Sequence, residues 1–389
     1  MNLIFNTAHG RFDLDFNENQ TIEDVCLINK LPFQSINFYG IKNGEINILI
    51  DILNLKILEL ISSEFDEIIF QPNRNINFSK IINKNLLVEK QKSASTEYLF
   101  QSENFNDLIN IEFSPEKCFD YIFEKVNNFL DKNEIDERPI IVGISGGGDS
   151  NTLLKALTNS KKISNSQIIA VMCTGLDVWD TAIERAQYIC KESKINLNLV
   201  DAKEICSIIG KKSSETWDTD FFDVFQDSDI DALGTFIVRK VLQYYVEKTN
   251  AQCMVTGLNL EDLLAESLFQ VTKGKLPLPF PVRNIDNIKL WYPLYEVPKK
   301  ILDGCYPKFS LQNYEQRNAD KLINRAIPYY YSQMISGFVP GFEFDLLNGF
   351  EKISKLNKNP FVFEPQLGFS VTEKLPTKLI ERWLYYTHS

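Results

Sequence analysis

The chain has 389 residues, a net charge of −11, 44% apolar residues and 24% charged residues. One hydrophobic core rarely grows past about 250–300 residues, so two or three domains are expected. The ordinary globular composition excludes a disordered chain, a collagen and a disulfide miniprotein, and the acidic balance disfavours a nucleic-acid binder, which needs clustered Lys and Arg.

No run of about 18 apolar residues occurs, so no membrane span is expected. The opening segment has neither a basic region nor a long apolar stretch, so no signal peptide is expected. The seven cysteines are an odd number, without CxxC spacing. That pattern suits a reducing, cytoplasmic protein without a disulfide framework or a zinc or iron–sulfur site. The two histidines, His9 and His388, lie near the ends, which argues against His-centred triads and His-rich metal sites.

Residues 1–95 read as a small α+β domain. Leu3–Thr7 and Arg11–Phe16 flank a turn at Ala8-His9-Gly10. A short helix follows, with Thr21 as N-cap and Ile22, Val25 and Ile28 on one face. Ile36–Ile41 and Glu45–Ile50 then flank Asn43-Gly44, a hairpin signal. This ββαββ order resembles a β-grasp fold, an interaction or carrier module rather than a catalytic one.

Residues 96–134 read as a polar linker and a connecting helix. Ser114 is the candidate N-cap and Pro115 the first helical residue, and Phe119, Ile122, Phe123, Val126 and Leu130 form the apolar stripe. Between 135 and 308 strands and helices alternate. Pro139–Ile144, Gln167–Cys173, Asn196–Val200 and Gln252–Thr256 are apolar strand candidates. Asp149–Thr158, Val178–Ser193 and Ile230–Asn250 are the helices between them. Repeated βα units predict an α/β, doubly wound parallel sheet, which binds ligands beyond the carboxyl ends of its strands. Residues 309–389 read as a helical C-terminal region, and no internal repeat is evident.

The sharpest feature is Ser145-Gly146-Gly147-Gly148-Asp149-Ser150, between the first buried strand and a helix. Glycines allow positive φ and close backbone approach, and N–H groups at the helix start favour a phosphate. Asp149 repels phosphate unless Mg²⁺ bridges the two or it caps the helix. Walker A needs a Lys that is missing, and the dinucleotide fingerprint needs a Gly where Asn151 stands.

The stretch does resemble the SGGxDS signature of the PP-loop ATP pyrophosphatases, with every fixed position matched at Ser145, Gly146, Gly147, Asp149 and Ser150. A second segment, Thr256 to Glu266, resembles the TGHNxDDxAET box of tRNA-thiolating and lysidine-forming members. Gly257, Asn259, Asp262, Ala265 and Glu266 match, whereas Leu258 and Glu261 depart from it. Pro293 to Ile301 resembles the segment that follows in those relatives. The resemblance covers about residues 135–305.

The resemblance implies a fold of the adenine-nucleotide alpha-hydrolase type, with ATP and Mg²⁺ as cofactors. It implies that Ser145 to Ser150 and Gly257 hold the phosphates, and that Val171, Met172 and Thr174 hold the adenine. Lys273 and Arg283 are candidates to neutralise pyrophosphate, each otherwise a solvated charge. Asp149, Asn259 and Asp262 are the catalytic candidates, with Asp149 and Asp262 as the Mg²⁺ ligands. Cys173, at a strand's carboxyl end, is a candidate sulfur carrier or a small core residue. Cys190 and Cys253 read as core, and Cys305 as a weaker candidate.

The departures narrow the substrate. Thiolating relatives carry a CxxC pair at positions that fall near Asp231 and Gly234 here, and neither is a thiolate ligand. The first cysteine, Cys26, is internal, which argues against a resident glutaminase. The acidic, aromatic stretch Glu215 to Asp231 reads as a substrate loop, a lid or a surface loop with buried aromatics. Arg317, Lys321 and Arg325 beside Tyr329–Tyr331 read as the solvated face of a helical core rather than an RNA-stacking site. The expected activity is adenylation of a carbonyl or carboxyl oxygen, then nitrogen or sulfur transfer onto a small-molecule or carrier-bound acceptor. A sulfur or nitrogen donor protein and a homodimer are admissible partners, and RNA is disfavoured. The alternatives are a tRNA-modifying thiolase or lysidine-type ligase, and a non-catalytic adenine-nucleotide-binding regulator.

Overall fold

The computed structural model describes residues 1–389 apart from 8–9, 32, 34–35, 44, 50–51, 73–95, 102–107, 176–179, 213–216, 218–223, 226–229, 306–327, 329–330, 333–334, 337–340, 373 and 389. His9, Gly44, the basic stretch at Arg317, Lys321 and Arg325, Tyr329, Tyr330 and most of the acidic stretch 215–231 therefore lie outside the described residues. Two compact units emerge: residues 1–115 with 306–346, and residues 116–305 with 347–389.

In the first unit, β1 (Asn2–Thr7), β2 (Gly10–Asp13), β3 (Ile36–Lys42), β4 (Glu45–Leu49) and β5 (Glu67–Pro72) form one sheet in the order β2-β1-β5-β3-β4. β1 and β5 are parallel and the other pairs antiparallel. Leu3, Phe5, Ile68 and Phe70 face Ile22, Val25 and Cys26 of helix α1 (Ile22–Ile28), and Ile57 and Leu60 of α2 (Ile57–Ile61) join that core. Thr21 caps α1 as expected: its hydroxyl accepts from the Asp24 N–H at 3.1 Å, and the Asp24 carboxylate accepts from the Thr21 N–H at 2.9 Å.

The segment read as a linker carries a hairpin instead, β6 (Thr96–Gln101) paired with β7 (Leu108–Phe113). Tyr98 and Phe113 are buried, while Ile109 and Ile111, on the same face as Phe113, are exposed. The Tyr98 hydroxyl donates to the buried Glu343 carboxylate at 2.6 Å.

The second unit opens with α3 (Pro115–Asp131), which buries Cys118, Ile122, Val126, Phe129 and Leu130. Its sheet runs β10-β9-β8-β11-β13-β12, formed by β8 (Ile140–Gly143), β9 (Ile168–Cys173), β10 (Leu197–Val200), β11 (Cys253–Val255), β12 (Val282–Ile285) and β13 (Ile288–Trp291). All neighbours are parallel except the edge pair β12–β13. Ile140, Ile141 and Val142 are fully buried, which is why this strand reads as a continuous apolar run. The helices are α4 (Gly148–Asn159), α5 (Ile183–Glu192), α6 (Ala202–Ile209), α7 (Ile230–Thr249), α8 (Leu260–Thr272) and α9 (Lys299–Cys305). α7 lies on β8, β9 and β11, and α4 packs beside α5 and α9.

Chain order gives this sheet its functional feature. From β8 the chain steps outward through β9 to β10, then returns to place β11 on the other side of β8. The order therefore reverses between β8 and β11, the place where open α/β sheets bind ligands at the carboxyl ends of their strands. The region 309–389 is less purely helical than expected. Its described residues hold α10 (Phe342–Ser354), the hairpin β14 (Val362–Glu364) and β15 (Phe369–Val371), and α11 (Thr377–His388), and they divide between the two units.

Candidate active site

The loop after β8 and the loop after β11 meet at this reversal. Gly146 sits at φ +68°, and a Cβ there would lie 2.8 Å from the Ala182 Cβ. Arg185 of α5, itself buried, donates from Nε to the Gly146 carbonyl at 3.1 Å and so holds the loop from below. Gly147 is the N-cap of α4. The Ser150 hydroxyl accepts from the Ser145 N–H at 3.2 Å and donates to the Gly147 carbonyl at 3.2 Å, and the Ser145 hydroxyl accepts from the Gly147 N–H at 3.3 Å. The two serines thus brace the loop from inside. A Cβ on Gly257 would stand 3.1 Å from the Ser150 backbone nitrogen, so the second segment packs on the first turn of α4.

Asp149 points into this junction. Its carboxylate accepts from the Asn259 side-chain amide at 3.1 Å and forms an ion pair with the Lys299 ammonium. Asp149 and Lys299 are only 20% and 12% exposed, so solvent screens the pair weakly. Lys299 also reaches Asp303 at 3.2 Å, and its backbone N–H donates to Glu261 at 2.8 Å. Asn259 has a second task, a capping box on α8. Its side-chain oxygen accepts from the Asp262 N–H at 3.1 Å, while the Asp262 carboxylate accepts from the Asn259 N–H at 3.0 Å.

Both carboxylates expected to hold Mg²⁺ are therefore engaged by protein donors, Asp149 by a cation and an amide, Asp262 by a backbone N–H. Among the described residues no group of three or more His, Cys, Asp or Glu is placed to hold a metal ion. These residues do not form a protein cage for Mg²⁺. A Mg²⁺ ion that enters with ATP is part of the substrate, since Mg²⁺ commonly relies on the phosphates for ligands.

The end of β9 borders the same edge. The Val171 carbonyl accepts from the Ile144 N–H at 2.9 Å, which ties this strand to the root of the glycine loop. Val171 and Met172 are paired within the sheet, and the backbone N–H and hydroxyl of Thr174 both donate to the Val200 carbonyl, at 3.0 and 3.1 Å. Cys173 is 8% exposed, and burial pushes its thiol up to about 12. A thiol in that state stays protonated at neutral pH, which speaks against a thiolate nucleophile at Cys173.

The two candidate pyrophosphate cations have other surroundings. Lys273 is the exposed C-cap of α8, with its ammonium 4.2 Å from the Phe269 ring centre. Arg283 is buried and forms a fork with the Glu266 carboxylate at 2.5 and 3.2 Å; its Nε donates to the Pro279 carbonyl at 2.9 Å. Burial disfavours its charge, but Glu266 outweighs that and holds the guanidinium protonated. Arg283 is thus a buried structural ion pair, and its partner Glu266 is a residue of the second segment.

The family model described as the PP-loop domain matches residues 120–327, more than half of the chain. The chain belongs to the PP-loop ATP pyrophosphatase superfamily. Among solved structures this PP-loop protein is similar to the U34-tRNA thiolase NcsA from Methanococcus maripaludis, at 19% identity over 62% of this chain and 80% of that one, with a TM-score of 0.52. It also matches the NH3-dependent NAD synthetase from Campylobacter jejuni, at 17% identity over 64% of this chain and 97% of that one, with a TM-score of 0.34. The thiolase likeness shows a shared fold. No curated protein matches the chain. The PP-loop domain implies ATP binding, and no helix among the described residues is long and apolar enough to cross a membrane.

Lys299 and Arg185 are the site residues that sequence reasoning missed. Lys299 lies in the Pro293 to Ile301 segment, but nothing in its local pattern announces Asp149 as partner. Arg185 has no local signal.

Two outcomes follow for this site. Cys173→Ala leaves AMP formation within about twofold of the native rate, and Cys173 resists alkylation in the folded protein at pH 8, well below the titration near 12. Arg283→Met leaves Glu266 without its partner and lowers stability by about 3 kcal/mol in denaturant titrations, while the folded fraction keeps its ATP affinity.

Proposed function

We propose that this PP-loop protein is an ATP-dependent adenylating enzyme acting on a small-molecule or carrier-bound acceptor. The observation that carries this reading is the junction of the glycine loop, the α4 N-terminus and the Asp149–Lys299–Asn259 cluster at the sheet's reversal point. The loop and the positive helix end favour the phosphates of ATP. Lys299 places a cation beside them, and Asp149 with Asn259 sets where that cation stands.

The chemistry proceeds in two displacements. A carbonyl or carboxyl oxygen of the acceptor attacks the α-phosphorus, a new P–O bond forms, the α–β phosphoanhydride bond breaks and pyrophosphate leaves. A nitrogen or sulfur nucleophile then attacks the activated carbon, and its bond to the AMP oxygen breaks. Negative charge builds on the departing pyrophosphate in the first step, where the Lys299 ammonium and the α4 N–H groups lower its cost. The remaining residues position reactants.

The acceptor class rests on charge and on ligand chemistry. A net charge of −11 does not suit a large RNA surface. Asp231 and Gly234 stand near where thiolating relatives carry a CxxC pair, so a cluster-dependent sulfur route lacks its ligands in this sequence.

Incubation with α-labelled ATP and either small-molecule extract or RNA from the host tests this. AMP appearing only with the small-molecule fraction supports the reading. AMP only with RNA makes the chain an RNA-modifying enzyme, and tight ATP binding without AMP in either tube makes it a nucleotide-binding regulator. With an active acceptor, Lys299→Met lowers kcat/KM for ATP by about 100-fold. Asp149→Asn lowers it as well, and the double variant is no worse than Lys299→Met, since Asp149 acts through Lys299.

A further inference from the structure

The carboxyl end of β9 is held by residues distant in sequence that belong to neither PP-loop segment. Trp217 is 1% exposed, and its indole N–H donates to the Thr174 carbonyl at 3.2 Å. The next residue, Gly175, turns at φ +91°, and a Cβ there would lie 3.2 Å from the indole nitrogen. The Trp217 carbonyl in turn accepts from the Tyr386 hydroxyl at 2.9 Å. Tyr386 lies in α11, fully buried, and its own carbonyl accepts from the Lys211 ammonium at 3.2 Å. Lys211 is 6% exposed and also stands 4.8 Å from the centre of the Tyr386 ring. A buried cation at a helix C-terminus meets the negative end of the helix dipole.

We propose that Trp217, Tyr386 and Lys211 form a positioning relay that sets the β9 terminus for the adenine nucleotide, so that α11 is a working part of the nucleotide site. This rests on the ATP-binding reading above. The relay is continuous and polar, running from strand end to indole, from indole backbone to phenol, and from helix end to ammonium. Each link is buried, so water cannot replace a lost hydrogen bond and the freed group stays unpaired. The strand end it fixes is the one whose Val171 carbonyl holds Ile144 at the root of the glycine loop. A shift there moves nucleotide contacts and leaves Asp149 and Lys299, which belong to α4 and α9, in place. The relay therefore acts on ATP binding rather than on the displacement at phosphorus.

Steady-state kinetics with varied ATP, together with calorimetric ATP titration of the full chain, test this. In Tyr386→Phe only a hydroxyl is lost. Its KM and Kd for ATP rise about fivefold, while kcat stays within about twofold. Trp217→Phe, which removes the indole N–H, gives the same pattern, and the double variant is no worse than the more affected single variant, because both cut one relay. Thr387→Val is the control. It removes a hydroxyl that donates to the Trp383 and Leu384 carbonyls within α11, and it leaves KM unchanged. Native ATP affinity in Tyr386→Phe, additive effects of the two substitutions, or an equal rise in Thr387→Val overturns the relay while the adenylating reading stands. A native protein that binds no ATP overturns both.

Discussion

A carboxylate beside a phosphate-binding loop is an electrostatic contradiction, and the site is organised around its resolution. Asp149 sits in the first turn of α4, where the helix dipole favours its charge and disfavours none of its neighbours' N–H groups. Left alone, it would repel the phosphates that the loop is shaped to receive. The Lys299 ammonium and the Asn259 amide take up its two oxygens, so the Asp149 charge is offset within the cluster. These partners lie 150 and 110 residues further along the chain. They meet only because β11 returns to the side of β8, and because Gly257 lets the second segment touch the backbone of Asp149 and Ser150.

The same region separates two uses of cationic side chains. Arg283 is buried, and its planar fork matches the Glu266 carboxylate at two points. It also lies 5.0 Å from the Tyr292 ring centre. That is a scaffold pair, joining α8 to the β12–β13 edge, and each guanidinium nitrogen donates to one of these neighbours or to the Pro279 carbonyl. Lys299 is a compact charge on a flexible stem, less deeply enclosed, and its carboxylate partner is itself at the loop. Charge type and enclosure, not sequence distance from the motif, separate the scaffold cation from the one that pairs with the loop's own carboxylate.

What was legible in the sequence follows from how local each signal is. Strands such as β8 and β9 are buried on both faces, so their apolar runs stand out without any partner. The glycine loop is readable because strand, turn and helix start are contiguous from Ile140 to Thr152. Thr21 and Asn259 are readable as caps because their partners Asp24 and Asp262 are three residues away. The β6–β7 hairpin reads as a linker because the polar residues before and after Thr96–Gln101, such as Lys92, Ser93, Ser102, Glu103 and Asn104, interrupt the apolar pattern. The four-residue strands β12 and β13 leave too short a pattern to register. Lys299 and Arg283 resemble each other in sequence, each a cation near a motif. Their fates are decided by Asp149 in one case and Glu266 in the other, at separations that no local pattern encodes. The resemblance to PP-loop enzymes located the junction, and within it Asp149 and Asp262 both accept hydrogen bonds from protein donors.

The acidic balance of the whole chain says little about this junction, because exposed charges are screened by salt while the partly buried groups here act on each other directly. Surface carboxylates beyond a Debye length, about 8–10 Å at ordinary ionic strength, contribute little to an enclosed cluster. The fixed dipoles of the α4 N-terminus and the paired charges of Lys299 and Asp149 act at contact distance. Such charges stabilise a departing pyrophosphate only if they do not have to reorganise when it forms. The internal bonds of Ser145 and Ser150, the Arg185 bond to Gly146 and the Asn259 bond to Asp149 all limit that reorganisation. The buried polar bonds around the loop thus set the cost of moving the groups at this junction.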